Sequence, residues 1–547
     1  LQQGKFKKKL NLLDLTMLGI GSIIGSGWLY ASLRGANYAG SLAWLPWVIG
    51  AVAVILIGLV YGELGAALPR AGGFVKYPDY SHGSVVGFMI GFISMLAYSS
   101  TAGVEVEAVR QYATYWWPAL TDKSGAPTAI GFIIQIGLLV VFFLLNYWSV
   151  NIFSKINTIV TIFKFIVPTV TIIALFMFFH PGNFHVGHAA PGGVSGVFQA
   201  VANAGIVFAF LGFRQAIDFA GEAKNPKRDV PLAIILAVCA GLIVYILLQI
   251  AFLGAVPADH LLHGWATLQF DSPFANLAAA VGLSWLTGLI LFDAVISPAG
   301  TGNIYLSGTT RVIFAWAQNG YFYSIFRKVD PRTGVPRGAM WVTLILGILW
   351  TLPGQFQAWS GLISAVTSAT VLTYMVGPVS AIAFRKQLPN MERPFRLPGM
   401  SIIAPLAFIS ATLITYWSGW TVDSLLVGLT IASLILYFAF VDKDPEFGKG
   451  KISIKEDFKS SIWLLVYFVF LLVFSYLGTF KGSDTGVGFL GIKGGIGVIP
   501  APWDTICVAV LSLIPFYIGA NTGLKNPRVR DENESEDEET ANVHSAI

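Results

Sequence analysis

The sequence is short of charge. Only 12% of its 547 residues are Asp, Glu, Lys or Arg, whereas 55% are hydrophobic. A soluble protein carries about 25% charged residues, so the deficit excludes an ordinary soluble globular chain. Cysteine is nearly absent: Cys239 and Cys507 both fall inside apolar runs, which excludes a disulfide framework or a cysteine metal site. Catalytic constellations are missing too. There is no His-Glu-x-x-His, no paired histidines, no Ser/His/Asp set within the apolar runs and no phosphate-cradling ATP loop. An enzyme is therefore not expected, and no cofactor or metal is expected either. His180, His185 and His188 share one polar loop, at a spacing that suits no standard metal site, and read as solvated.

What the chain does have is apolar runs long enough to cross a hydrocarbon core of about 30 Å. Fourteen such spans lie between polar breaks, at 12–38, 43–68, 84–109, 128–148, 152–179, 195–222, 230–255, 277–306, 338–353, 358–384, 402–420, 424–441, 460–480 and 504–521. The sequence predicts an all-α polytopic membrane protein. The basic start KFKKKLNLLD runs into the first span rather than into a cleavable leader. With both termini in the cytoplasm, most of the 34 Lys and Arg fall on the cytoplasmic side. Arg34, Lys123, Lys481 and Lys493 lie outside, and Arg110, Lys164 and Arg214 lie in or at the edge of spans. That asymmetry obeys the positive-inside rule. Residues 1–11 are a cytoplasmic N-terminus, 442–459 a cytoplasmic linker and 522–547 an acidic tail whose RDENESEDEET run should be disordered.

Two spans carry glycine interruptions. Span 1 reads LGIGSIIGSGWLYA and span 6 reads FAFLGFRQAID, with Gly212 at its centre. They lie five spans apart, so the second unit enters the membrane from the opposite face. Glycine-broken helices at matching positions of two halves point to an inverted-repeat transporter. Backbone groups freed inside a membrane are tolerable only where they face protein or a water-filled cavity. There they can bind a solute that carries both carboxylate and ammonium, which describes an α-amino acid. Gly21 and Gly25 also fit a helix-packing motif, as do Gly58 and Gly62 of span 2. In span 1 the glycines are dense and interleaved with Ser22 and Ser26, which favours a break.

Four motifs in order then resemble one family. GSIIGSGWLYA, YGELGAALPRAGGFVKYPDYSHG, FAFLGFRQAIDFAGEAKNPKRDVP and TTRVIFAWAQNGYFYSIFRKVDPRTGVPRGA are similar to the signatures of the amino acid–polyamine–organocation transporter superfamily, over roughly residues 10–440. FFLLNYWSV, EVEAVRQYATYWWP and the fourteen-span layout resemble its bacterial aspartate–proton symporters. The resemblance implies a leucine-transporter fold with inverted repeats over about 12–179 and 195–384, followed by spans 11–12 (402–441) and 13–14 (460–521). It implies a substrate carboxylate at the backbone of Ser22, Ile23, Ile24, Gly25, Ser26 and Gly27. The substrate amino group would meet carbonyls of Phe208, Ala209, Phe210 and Leu211, with Phe208 also an aromatic gate.

Ionisable residues inside spans are functional candidates. Glu63 reads as paired with a loop cation such as Arg70. Glu105, Glu107 and Arg110 read as an outer-vestibule group with a Glu107–Arg110 pair. Lys164 lies about 18 Å into span 5 at 1.5 Å per residue, which is mid-membrane, and burial disfavours a charged ammonium. Proton-coupled members of the superfamily carry a lysine there in place of sodium. Lys164 is thus the expected proton carrier, with Asp293, Ser297 and Thr301 of span 8 as partners, or else a static bridge to Asp293. Arg214 either receives a substrate side-chain carboxylate or forms a gating salt bridge with Asp218 or Glu222. The expected function is proton-coupled uptake of aspartate or glutamate by alternating access, with an exchanger or neutral amino acid permease as the alternative. The partners are the amino acid, protons and the lipid bilayer.

Overall fold

In the computed structural model, residues 8–123, 125–148, 150–187, 189–352, 359–440, 454–483 and 485–529 are described. His188, most of the linker and the acidic run from Arg530 onward lie outside them. The described residues are helical, with no strand beyond isolated bridges such as Leu10 to Ala223. Eleven helices are long and apolar enough to cross a membrane, and two more such units are bent pairs. Trp44–Ala67 is typical: its 24 residues, with Glu63 the one charged side chain, make a rod of about 36 Å. A shorter apolar helix, Arg337–Trp350, fills span 9. Each of the fourteen expected spans overlaps one of these units.

The first bent pair is Leu12–Ile23 with Gly27–Leu42, turned by 47°. Its start is fixed by a reciprocal cap: Asn11 Oδ1 accepts from the Asp14 amide and Asp14 Oδ2 from the Asn11 amide, each at 3.0 Å. Helical geometry stops at Ile24 (φ −83°, ψ 87°) and resumes at Gly27. The second pair is Gly193–Asn203 with Ile206–Asp218, turned by 41°. Here the sequence expectation needs correcting. The bend lies at Gly205, whose φ of 87° is left-handed and suits glycine. Gly212 has no such angle. It sits in a tight 3₁₀ stretch, Leu211–Arg214, and its role is close approach. A Cβ there would stand 2.5 Å from the Ile23 amide nitrogen. Gly27 likewise lies against Ala209, where an added Cβ would be 3.0 Å from the Ala209 methyl. The bend of span 1 therefore faces the Ala209–Gly212 stretch, just past the Gly205 bend of span 6.

Other limits also shift. The helix of span 8 is Ser284–Gln318 and that of span 3 is Ser84–Ala113, both longer than expected. The polar run Ser307, Thr309, Thr310 and Arg311 looks like a loop but is buried against neighbouring helices. Span 13 begins at Ile454, inside the expected linker. Between spans 2 and 3 the expected loop is a helix, Gly73–His82, with all ten residues buried. The described termini lie at the same end of the bundle as this helix. The Leu10 carbonyl accepts from the Lys224 amide, the Asp218 carbonyl from Gly72, and the Ser81 carbonyl from Leu524.

Candidate functional site

The bend of span 1 is satisfied by side chains from four other spans. The Gly21 carbonyl accepts from Lys164 Nζ at 2.6 Å and from Thr301 Oγ1 at 2.9 Å. The Ile23 carbonyl accepts from the Tyr245 hydroxyl at 2.5 Å, and the Ile24 carbonyl from Thr301 at 3.2 Å and Ser297 at 3.5 Å. On the far side of the bend, the Ser26 amide donates to Glu105 Oε2 at 2.9 Å. Glu105 is thus no member of an outer-vestibule group. It is fully buried, with Oε2 at the N-terminus of the second half-helix, where the helix dipole favours an anion. Glu107 and Arg110 do form the expected pair, joined by Gln135.

Lys164 is fully buried, and its ammonium contacts a carbonyl of span 1 and a hydroxyl of span 8, Thr301 Oγ1 at 2.7 Å. Gly300 lets it in, since a Cβ there would stand 2.9 Å from Lys164 Cε. The carboxylates of Glu105 and Asp293 flank the ammonium within electrostatic reach. A static Lys164–Asp293 bridge is not formed, because neither Asp293 oxygen has a hydrogen-bond partner. Asp293 lies instead beside Ser297 and Trp28. Of the residues expected around Lys164, Thr301 contacts it, Ser297 reaches the same bend, and Asp293 lies within electrostatic reach.

In span 6, Phe208, Ala209, Phe210 and Leu211 are buried beside the first bend, and the Leu211 carbonyl accepts from the Tyr374 hydroxyl at 3.1 Å. The Phe208 carbonyl is used within the helix, by the Leu211 amide. Arg214 points away from the span 1 bend, toward the end of the bundle that carries the termini. Nε donates to Asp218 Oδ2 at 3.0 Å and Nη1 to Thr373 Oγ1 at 3.1 Å. Its guanidinium lies 4.2 Å from the centre of the Phe74 ring and 4.1 Å from that of Tyr98, with Tyr374 at 5.9 Å. Such faces stabilise a desolvated cation by about 2 kcal/mol. Glu222 does not reach Arg214. It pairs with Arg311 at 2.8 Å, and the Arg311 guanidinium lies 4.2 Å from the Phe219 ring.

A sequence model of the amino acid permease family matches residues 10–441. The chain belongs to that family. Among curated relatives, this permease is 43% identical to the aspartate-proton symporter of Bacillus subtilis, over 96% of its own length and 98% of the relative's. It is 40% identical to the glutamate/serine transporter AimA of the same organism, over 96% of each chain. It is 28% identical to the branched-chain amino acid permease BcaP, over 80% of its length and 94% of that protein's.

Several residues of the permease site had no legible signal. Phe74, Tyr98 and Tyr374 are ordinary aromatics in sequence, and only the fold collects them around Arg214. Tyr245 in span 7 is similar. Glu105 did carry a signal, as an acid within an apolar helix, but depth measured along span 3 assigned it to the wrong neighbours. Glu63 likewise has other partners than Arg70: it binds Arg385 through both oxygens, with Arg393 at 3.6 Å.

Proposed function

We propose that this permease couples the inward movement of an acidic amino acid, aspartate or glutamate, to protons by alternating access. Similarity along nearly the whole chain to an aspartate-proton symporter and a glutamate/serine transporter carries the substrate class. The proton coupling rests on Lys164, a buried ammonium held by neutral oxygens and flanked by two carboxylates. The architecture is read as two inverted repeats, about 12–179 and 195–384, with the bends of spans 1 and 6 at the substrate and both termini cytoplasmic.

In this reading the substrate carboxylate binds the half-helix N-terminus around Ser22 to Gly27, and the ammonium binds the Phe208–Leu211 stretch. Glu105 already holds the Ser26 amide. A second carboxylate at that amide meets like-charge repulsion unless Glu105 gains a proton or moves away. Protonation of Glu105 therefore favours substrate binding, and Lys164 is the neighbour that can exchange the proton. In this reading Thr301 holds Lys164 directly, Ser297 ties the same bend, and Asp293 acts on Lys164 from a distance. Phe208 covers the substrate. Arg214 and Asp218 form the cytoplasmic gate, with Glu222–Arg311 as a second buried tie below it.

The test is uptake of labelled aspartate into proteoliposomes with and without an inward proton gradient, competed by glutamate, serine and branched-chain amino acids. The expected result is gradient-stimulated uptake blocked best by glutamate. Uptake indifferent to the gradient, with full exchange against internal substrate, would instead mark an exchanger. Best competition by serine or a branched-chain substrate would mark a neutral amino acid permease.

A further inference from the structure

The family-matched stretch ends at residue 441, yet the residues beyond it grip the end of the helix Gly73–His82 and the first residue of span 3. Asp457, at the start of span 13, is fully buried. It accepts from the Ser84 amide at 2.8 Å and from the Ser84 hydroxyl. Arg528, after span 14, donates twice to the same carboxylate, at 3.0 and 2.6 Å. The strand of chain leading to Arg528 lies along the helix end: the Leu524 amide donates to the Ser81 carbonyl at 2.8 Å and the Arg528 amide to the Tyr80 carbonyl at 3.0 Å. His82 Nε2 meets the Gly519 carbonyl at 3.0 Å, and Nδ1 meets Ser81 Oγ at 2.8 Å. Burial pushes the His82 imidazole down to about 4, so it stays neutral and Nε2–H donates to Gly519. The joint is also tight. Gly83 has a φ of 84°, and a Cβ there would stand 2.6 Å from the Asp457 carboxylate.

The other end of this helix reaches the gate. Phe74 is the ring 4.2 Å from the Arg214 guanidinium, and it stacks on Tyr61 at 3.9 Å and meets Tyr374 at 5.1 Å. Asp79 and Lys76 bind Tyr321 and Gln318 at the end of span 8. One short helix thus joins the C-terminal spans, span 8 and the Arg214 cage.

We propose that Asp457 and Arg528 are positioning residues of the gate, acting through the helix Gly73–His82 to hold Phe74 over Arg214. Spans 13 and 14, with the segment after them, then set how readily the cytoplasmic side opens. This rests on the reading of the Arg214 cage as the gate. A bidentate guanidinium–carboxylate contact suits the task, because it fixes orientation as well as distance.

The experiment measures half-saturation for aspartate from each face in sidedness-controlled proteoliposomes, normalised to folded transporter. Arg528→Ala loosens the clamp and favours the cytoplasm-open form. External half-saturation should rise about five-fold, because apparent affinity falls with the population of the competent state, and internal half-saturation should fall. Arg528→Lys keeps the charge but not both bonds, so it shifts both values the same way by less, and it covers the case in which Arg528→Ala folds poorly. Arg214→Gln, run alongside, should also shift the ratio of the two faces. A shift with Arg214→Gln but none with either Arg528 variant overturns the clamp and leaves the gate standing. No shift with Arg214→Gln overturns the gate reading. A fall only in the amount of folded protein, with both half-saturations unchanged, makes Asp457 and Arg528 mere braces and also overturns the proposal.

Discussion

Lys164 and Arg214 are both cations with no exposure to solvent, yet their surroundings are opposite. Lys164 touches a carbonyl and a hydroxyl and holds its carboxylates at a distance. Arg214 touches a carboxylate directly and is packed between aromatic faces. An ammonium on neutral oxygens can give up its proton and leave both oxygens hydrogen-bonded. A guanidinium does not deprotonate in proteins; here aromatic rings lie against it while Nε donates to Asp218 and Nη1 to Thr373. The first arrangement suits a group that changes charge during a cycle. The second suits one that keeps its charge and changes partners.

The largest expected effect comes from erasing that difference at Lys164. Lys164→Ala should abolish stimulation of aspartate uptake by a proton gradient. Lys164→Arg should do the same while the protein still folds, because a permanent charge cannot be unloaded. Gradient-driven uptake at wild-type rate in either variant would refute the proton role. Next is Glu105→Gln, whose amide oxygen still accepts from Ser26. If a protonated Glu105 is required, wild-type half-saturation for aspartate rises about ten-fold per pH unit once Glu105 ionises, because the competent form is then lost with each unit. The Gln variant should be nearly flat over the same range. An unchanged slope would remove Glu105 from the cycle.

A smaller effect is expected at the other cation. Arg214→Gln should slow transport of aspartate and serine about equally, and should lower thermal stability by about 3–5 kcal/mol, the usual result of leaving a buried carboxylate (here Asp218) unpaired. Selective loss of aspartate would instead make Arg214 a receptor for the substrate side chain. The smallest effect belongs to a third kind of cation. Lys227 pairs with Glu392 at 2.8 Å in the open, both side chains more than half exposed. Lys227→Ala should leave uptake and melting temperature unchanged within error, as exposed pairs contribute about 0–1 kcal/mol.

The spans were legible in the sequence because hydropathy is a local property. Trp44–Ala67 and Trp420–Phe440 differ from the expected limits by a few residues. Legibility failed where polar residues are satisfied from far along the chain. Lys76, Asp79 and His82 look like a solvated loop, but Gln318, Tyr321 and Gly519 meet them and make the segment a buried helix. Lys164 stood out because a lysine at mid-membrane depth is conspicuous by itself. The cage around Arg214 was not, since Phe74, Tyr98 and Tyr374 are three aromatics among many, and no spacing in the chain brings them together.

The contacts of Gly212 on Ile23 and Gly27 on Ala209 have a mechanical consequence. At Gly212 the chain lies directly on the Ser22–Ile23 backbone, and at Gly27 only the Ala209 methyl and the edge of the Phe208 ring intervene. A methyl group added at Gly212 would be driven into the Ile23 amide, so the two bent helices can keep this spacing only while that position stays bare.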